Sequence, residues 1–341
     1  MFASKTLRRL AVLAVGLALL APAAISSRQK LKHHHNSKAT AKKEQEVPAG
    51  TPSLWRRPSD IAARDLYWGP GGKSLQPDLT RVTLIEKEKG GYSTKYRVRD
   101  ASGREWVAKV GKEAKGETAA SRLMWAVGYH SDVNYLVPKV YVEGLNKTLE
   151  NVRFGLRPKE VKRIDGWQWD HNPFVGSRQF QGLKIMMALL NNWDLKDSNN
   201  KIAVARDKKL ADKESRYFVA DLGGSFGQVS HLPRFLQFKP DRNNPKAYAR
   251  SHLVDGVKED GRVDLHYKLK KSHLIKNISV EDARWIRGWL SRLNNRQIQD
   301  AFRAANYRPD EARMMTQAVR QRINELAIVD NRLAARTNSH R

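Results

Sequence analysis

Three features of the 341-residue chain predict an α+β fold in two lobes, a small antiparallel β-sheet lobe followed by a larger, mainly α-helical one. Short alternating runs joined by tight turns come first, between residues 81 and 110. Helical periodicity dominates the second half, most clearly over residues 279–329. A single charged hairpin at residues 202–220 interrupts the helical segments. The length fits one large domain or two lobes, and 40% hydrophobic content with nine Trp, ten Tyr and nine Phe is enough to build a core. The sheet lobe is expected over 60–160 and the helical lobe over 161–330, with a disordered tail at 331–341. Near their junction, Trp167, Trp169 and Phe174 either line the boundary or are plain core.

The first 27 residues read as a signal peptide. Lys5, Arg8 and Arg9 precede an uncharged run over 10–20, and Ala21, Pro22 and Ala23 supply small residues for cleavage. The run is shorter than a membrane span needs, so export to a periplasm or the exterior is expected, with an uncleaved anchor as the alternative. Residues 28–59 read as a basic flexible linker, because Lys, Arg and Pro recur there without apolar periodicity. His33, His34 and His35 cannot all converge on one metal ion from an extended segment, so solvated linker is the favoured reading.

Residues 81–86 alternate as a strand, 89–93 turn, 94–99 alternate again, 100–103 turn, and 105–110 form a third strand with Lys109 near its end. A helix is expected over 117–128, carrying Ala120, Leu123, Met124 and Val127 at helical spacing with Gly128 as its stop. Further strands are expected at 139–142 and 152–156. In the second half, Leu183, Met186, Met187 and Leu190 mark a buried helix that runs into the polar segment 191–200. Strands at 202–206 and 216–220 follow, the second delivering Asp221, Leu222, Gly223 and Gly224. Residues 279–329 are expected to be helical throughout, opened by a capping box of Ser279 and Asp282.

A strand lysine, a helix glutamate, the run Asp194-Leu195-Lys196 with Asn199, and a strand-end Asp221-Leu222-Gly223 therefore occur in order. This set resembles the protein-kinase-like superfamily, over roughly residues 80–330. The run from Asn191 to Asp197 is also similar to an uncharacterised bacterial exported family of no known activity. The kinase-like resemblance implies ATP and Mg²⁺ or Mn²⁺ as cofactors, with the nucleotide in the cleft between the lobes. It implies that Lys109 holds the α- and β-phosphates with Glu117 or Glu113 as its helix partner. Asp194 is then the catalytic-loop carboxylate, Lys196 offsets γ-phosphate charge, and Asn199 and Asp221 bind metal. Asn199 precedes the first strand of the hairpin and Asp221 ends the second, so both fall at one end of the ribbon.

The chain departs from the usual kinase pattern in its phosphate-covering turn, which lacks the Gly-x-Gly-x-x-Gly spacing. Cradling would rest on Gly90, Gly91, Ser93 and the Thr94 hydroxyl. Asn192 and Trp193 stand where His-Arg usually precedes the aspartate, Lys109 and Glu117 are only eight residues apart, and no Ala-Pro-Glu follows Asp221. These features point to atypical members, lipid-kinase-like or secretory-kinase-like, and residues 224–278 give no clear substrate platform.

The absence of cysteine excludes disulfide scaffolds, Cys-ligated zinc, iron–sulfur clusters and thiol nucleophiles. A net charge of +28 favours an acidic acceptor or an anionic surface as partner, while no nucleic-acid recognition motif is present. The expected function is thus an exported phosphotransferase acting on a protein, lipid or glycan hydroxyl. The alternatives are a catalytically inactive kinase-fold binding module and a basic polyanion-binding or surface-binding protein.

Overall fold

The computed structural model describes residues 48, 50–90, 93–211, 213–227, 241–269 and 271–327. The expected signal peptide, all but residues 48 and 50–59 of the expected linker, Gly91 and the expected tail lie outside the described residues. Along the chain the strands are β1 (Thr51–Ser53), β2 (Val82–Glu88), β3 (Thr94–Asp100), β4 (Glu105–Val110), β5 (Asn134–Val142), β6 (Lys147–Leu156), β7 (Val161–Asp165), β8 (Asn200–Ala205), β9 (Glu214–Val219), β10 (Val254–Val257) and β11 (Val263–Leu265). The helices are α1 (Glu113–Ala126), α2 (Arg178–Leu189), α3 (Lys208–Ala211), α4 (Pro245–Ala249), α5 (Val280–Leu290), α6 (Asn295–Ala304) and α7 (Pro309–Glu325).

Alternation builds the first sheet, whose five antiparallel strands run in the order β2-β3-β4-β6-β5. Central β4 is covered on both faces. Its Trp106 and Ala108 join Val82, Val98, Val152 and Phe154 in one apolar cluster, which leaves Val107 and Lys109 on the opposite face. The sheet curls until its edges touch: Leu84 N–H donates to Glu143 O and Glu143 N–H to Val82 O, both at 2.8 Å. Gly111, at φ +121°, then turns the chain directly into α1. That helix starts at Glu113, four residues before the sequence suggests, because its first turn carries no apolar periodicity. Ala119, Ala120, Leu123 and Met124 of α1 bind it into the larger core.

The second sheet has the order β1-β9-β8-β7, with β1 parallel to β9 and the remaining pairs antiparallel. Its first strand corrects the expected linker, since ordered packing begins before Asp60. Ser215 Oγ donates to Gly50 O at 2.8 Å, Leu54 is 3% exposed, and Trp55 packs 5.1 Å from Trp285 and 5.3 Å from Trp289 between ring centroids. The expected sheet-lobe boundary at residue 60 is corrected too. Ile61 and Leu66 enter the helical core, and Gln297 of α6 donates to Ile61 O at 2.7 Å. Trp167 and Trp169 are fully buried core, Trp167 meeting Phe180 edge-on and Trp169 tilted against it, and Phe174 packs on Tyr217.

Over the described residues 279–327 the chain forms three helices instead of one continuous run. Ser279 accepts from Asp282 N–H at 3.1 Å and starts α5, while Asn294 and Gln297 form a reciprocal capping box that restarts the chain as α6. Asn306, at φ +55°, and Pro309 at the first turn of α7 make the last break. Residues 224–278, which carried no clear sequence signal, contribute α4 and the β10–β11 hairpin.

Candidate active site

Lys109 reaches the site because β4 presents alternate residues to α1. Glu113 and Glu117 are one helical turn apart, so both carboxylates lie on the same side of α1. Lys109 Nζ lies 2.9 Å from Glu113 Oε2, 2.8 Å from Glu117 Oε2 and 3.1 Å from Asp221 Oδ1. The ammonium is buried, with Lys109 3% exposed. Two further cations complete the cluster. Arg153 on β6, in register opposite Lys109, sits 3.2 Å from Glu117 Oε1, and Arg242 pairs with Glu113. Three cations thus face three carboxylates, the balance that lets buried charges persist. Burial opposes the charge on Lys109, but Glu117 and Asp221 outweigh it and its pKa is raised. Burial likewise opposes ionisation of Asp221, yet Lys109 and the Gly223 N–H hold its carboxyl below the ordinary value.

The second half of the site begins where α2 ends. Asn191, at φ +49°, turns the chain, and buried Asn192 accepts from Asp194 N–H at 3.2 Å while its own carbonyl accepts from the Tyr267 hydroxyl. Lys196 Nζ lies 2.9 Å from Asp194 Oδ1. Asn199 ties the two halves together: its side-chain amide donates to Asp194 O at 2.7 Å, and its carbonyl accepts from Ala220 N–H at 2.8 Å and Asp221 N–H at 3.2 Å. The glycines after Asp221 are sterically required. A Cβ on Gly223 would lie 3.0 Å from Asp221 Oδ1 and from Glu113 Cβ, and one on Gly224 would lie 2.7 Å from Asn192 Oδ1 and 3.1 Å from Asp194 Cβ.

The expected residues therefore fall into two groups, Lys109 with Glu113, Glu117 and Asp221, and Asp194 with Lys196 and Asn199. Both glutamates contact Lys109, so the choice between them dissolves. Ser93 corrects the expected phosphate cradle: its buried hydroxyl donates to Glu113 Oε2 at 2.6 Å and is occupied in the ion cluster. Gly90, at φ +92°, has open space where a Cβ would stand, and Gly91 lies outside the described residues. Arg153, Arg242 and Tyr267 were missed. Each reaches the site through register or tertiary packing, which leaves no local signal.

A cavity of about 610 Å³ opens between the two sheets, lined in part by Arg97, Glu105, Arg157, Arg163, Arg216 and Phe218. Asp132 connects it to the cluster, since Arg153 lies 3.9 Å from Asp132 as well as 3.2 Å from Glu117. Burial acts to raise the Asp132 carboxyl, but Arg163, Arg157 and Arg153 prevail and hold it at about 2. Asp221 and Asn199 offer hard oxygen donors on backbones that are hydrogen-bonded to one another, a donor set that fits Mg²⁺. The arrangement can hold a divalent ion on Asn199 and Asp221 and a hydroxyl proton at Asp194, while Lys109 would meet phosphate oxygens only by exchanging one of the three carboxylates that take up its donors.

No family model matches the chain, and no curated protein matches it. Similar solved structures include the Helicobacter pylori proinflammatory kinase CtkA, at 9% identity and TM-score 0.45 over 75% of this chain and 98% of that one. They also include the Golgi casein kinase, at 9% identity and TM-score 0.40 over 75% of this chain and 74% of that one. The Golgi casein kinase with Mn and ADP bound gives 9% identity and TM-score 0.38 over 74% of each chain. The chemistry of the site is carried by the Lys109 cluster and the Asp194 loop, whose geometry is independent of these likenesses.

Proposed function

We propose that this chain is an exported phosphotransferase that moves the ATP γ-phosphate to a hydroxyl of an acidic protein, lipid or glycan acceptor. The observation that carries the reading is the buried Lys109 ammonium, held at once by Glu117 on α1 and by Asp221, 112 residues away, just beyond β9. Lys109 bridges the helix carboxylates and a candidate metal ligand, and it would receive phosphate oxygens on exchanging one of those carboxylates. The cavity beside Asp132 would take the base and ribose. Lys109 orients the phosphates, and Asp194 accepts the proton of the attacking hydroxyl as the new P–O bond forms and the bond to ADP breaks. Lys196 lies beside that carboxylate and offsets charge on the transferred group. Asn199 and Asp221 would hold Mg²⁺ or Mn²⁺, which when bound neutralises phosphate charge.

The test is Mg²⁺-dependent ATP turnover by the full chain and by Asp194→Ala and Asp221→Ala. Each substitution is expected to lower the rate by about 100-fold or more, Asp194→Ala with little change in melting midpoint and Asp221→Ala with a lowered one, because buried Lys109 loses a carboxylate partner. Retained turnover in both variants would overturn the assignment. A second reading, a binding module that keeps the architecture without transfer, is favoured by Ser93, whose hydroxyl is taken up by Glu113 and cannot cradle phosphate. It is supported if wild-type and variant chains show the same negligible turnover.

A further inference from the structure

Outside this site, one group of side chains has the composition of a metal centre. Asp255 sits at the register irregularity of the β10–β11 hairpin, between the Val254–Leu265 and Gly256–Asp264 pairs. His252 precedes β10 and His266 follows β11, so the antiparallel pairing brings both imidazoles to the hairpin's open end. The backbone fixes this placement through His266 N–H donating to Leu253 O at 2.8 Å. His252 Nε2 lies 2.6 Å and His266 Nδ1 2.9 Å from the same oxygen, Asp255 Oδ1. The two ring centroids are 3.9 Å apart, with the ring planes tilted by 37°. Ligand atoms of all three residues lie within 4.8 Å of one another, and among the described residues no other group of three His, Asp or Glu donors is identified at that spacing. His266 is deeply buried, with a side chain 4% exposed, while that of His252 is 44% exposed. One side of the group is therefore set by the fold and the other is open to solvent.

We propose that His252, Asp255 and His266 bind a divalent transition-metal ion of the Zn²⁺ class, with an open coordination position toward solvent. Ligands around a tetrahedral ion with bonds of about 2.0–2.1 Å stand about 3.3 Å apart, so a small outward movement of Asp255 admits the ion between the two nitrogens that converge on it. Two imidazoles and one carboxylate suit Zn²⁺ and its neighbours, whereas Mg²⁺ and Ca²⁺ prefer oxygen. The ion would act as a clamp. Ser251, next to His252, bonds Asn191 Nδ2 and Arg322, and Tyr267, next to His266, holds the Asn192 carbonyl. Both ends of the clamped segment thus brace the turn leading into Asp194, so metal binding stabilises that turn from outside the catalytic cleft.

Isothermal titration of the full chain with Zn²⁺ tests this, in excess Mg²⁺ to occupy oxygen sites and with His33, His34 and His35 each changed to Ser. One Zn²⁺ per chain is expected, with a Zn²⁺-dependent rise in melting midpoint. His252→Ala, at a half-exposed position that leaves the fold intact, is expected to weaken binding by about 10-fold or more and to remove the rise. Asp255→Asn is expected to act in the same direction. Absence of saturable binding, or equal affinity in His252→Ala, would overturn the proposal and leave a hydrogen-bonded His–Asp–His group. Neither outcome depends on whether the chain transfers phosphate.

Discussion

At the scale of single residues, Gly224 shows how little freedom the site has. Its missing Cβ leaves room for Asn192 Oδ1 and the Asp194 backbone, so any side chain there pushes the Asp194 loop outward. Displacements near 1 Å cost about 100-fold in rate when geometry carries the catalysis. Gly224→Ala is therefore expected to lower turnover by about that factor in a folded chain, with steady-state kinetics and a melting curve as the check. Wild-type turnover in this variant would mean that Asp194 does not need its observed position. That Lys109 and Asp221 meet, and that Asp194 and Asn199 meet, was legible because the four residues stand in a recognisable order in the sequence. Arg153 and Arg242 were not legible. Their roles depend on the register of β4 with β6 and on a contact 129 residues from Glu113, neither of which leaves a local pattern. Ser93 was legible as a turn hydroxyl but not in its direction, since only the packed structure shows that it faces Glu113 and not the cleft.

At the scale of elements, strong alternation in β2, β3 and β4 and strong helical periodicity in α2 and α5 could be read directly. Elements held by tertiary contact could not. β1 is three residues long with a central Pro52, and its partner β9 lies more than 150 residues downstream. Its docking rests partly on a pair with pH-sensitive chemistry: Ser53 Oγ lies 2.8 Å from His130 Nε2. Burial pushes His130 down to about 4 from 6.5, with Glu214 opposing and Arg216 and Arg56 adding to the shift. Between those values the unfolded chain binds the extra proton and the folded chain does not, so stability rises with pH across that window. The melting midpoint is expected to fall as pH drops from about 6.5 to about 4, and His130→Gln is expected to flatten this dependence. An unchanged slope in the variant would show that His130 is not a source of it.

At the scale of the whole molecule, a chain of net charge +28 builds the Lys109 cluster from balanced charge. An electropositive molecule draws nucleotides and acidic acceptors alike, so nonspecific attraction must be separated from specific binding. Asp221 makes that separation, because its removal raises the positive charge further while deleting a proposed metal ligand. The most direct measurement is the melting midpoint of the full chain with ATP and Mg²⁺ or Mn²⁺, beside Asp221→Ala. With ligand at about 100 times Kd, a metal-dependent rise of about 5 °C is expected in the wild type and none in the variant. A rise of equal size in both proteins, or no rise in either with any nucleotide, would contradict the assignment of Lys109, Asn199 and Asp221 as a metal-dependent nucleotide site.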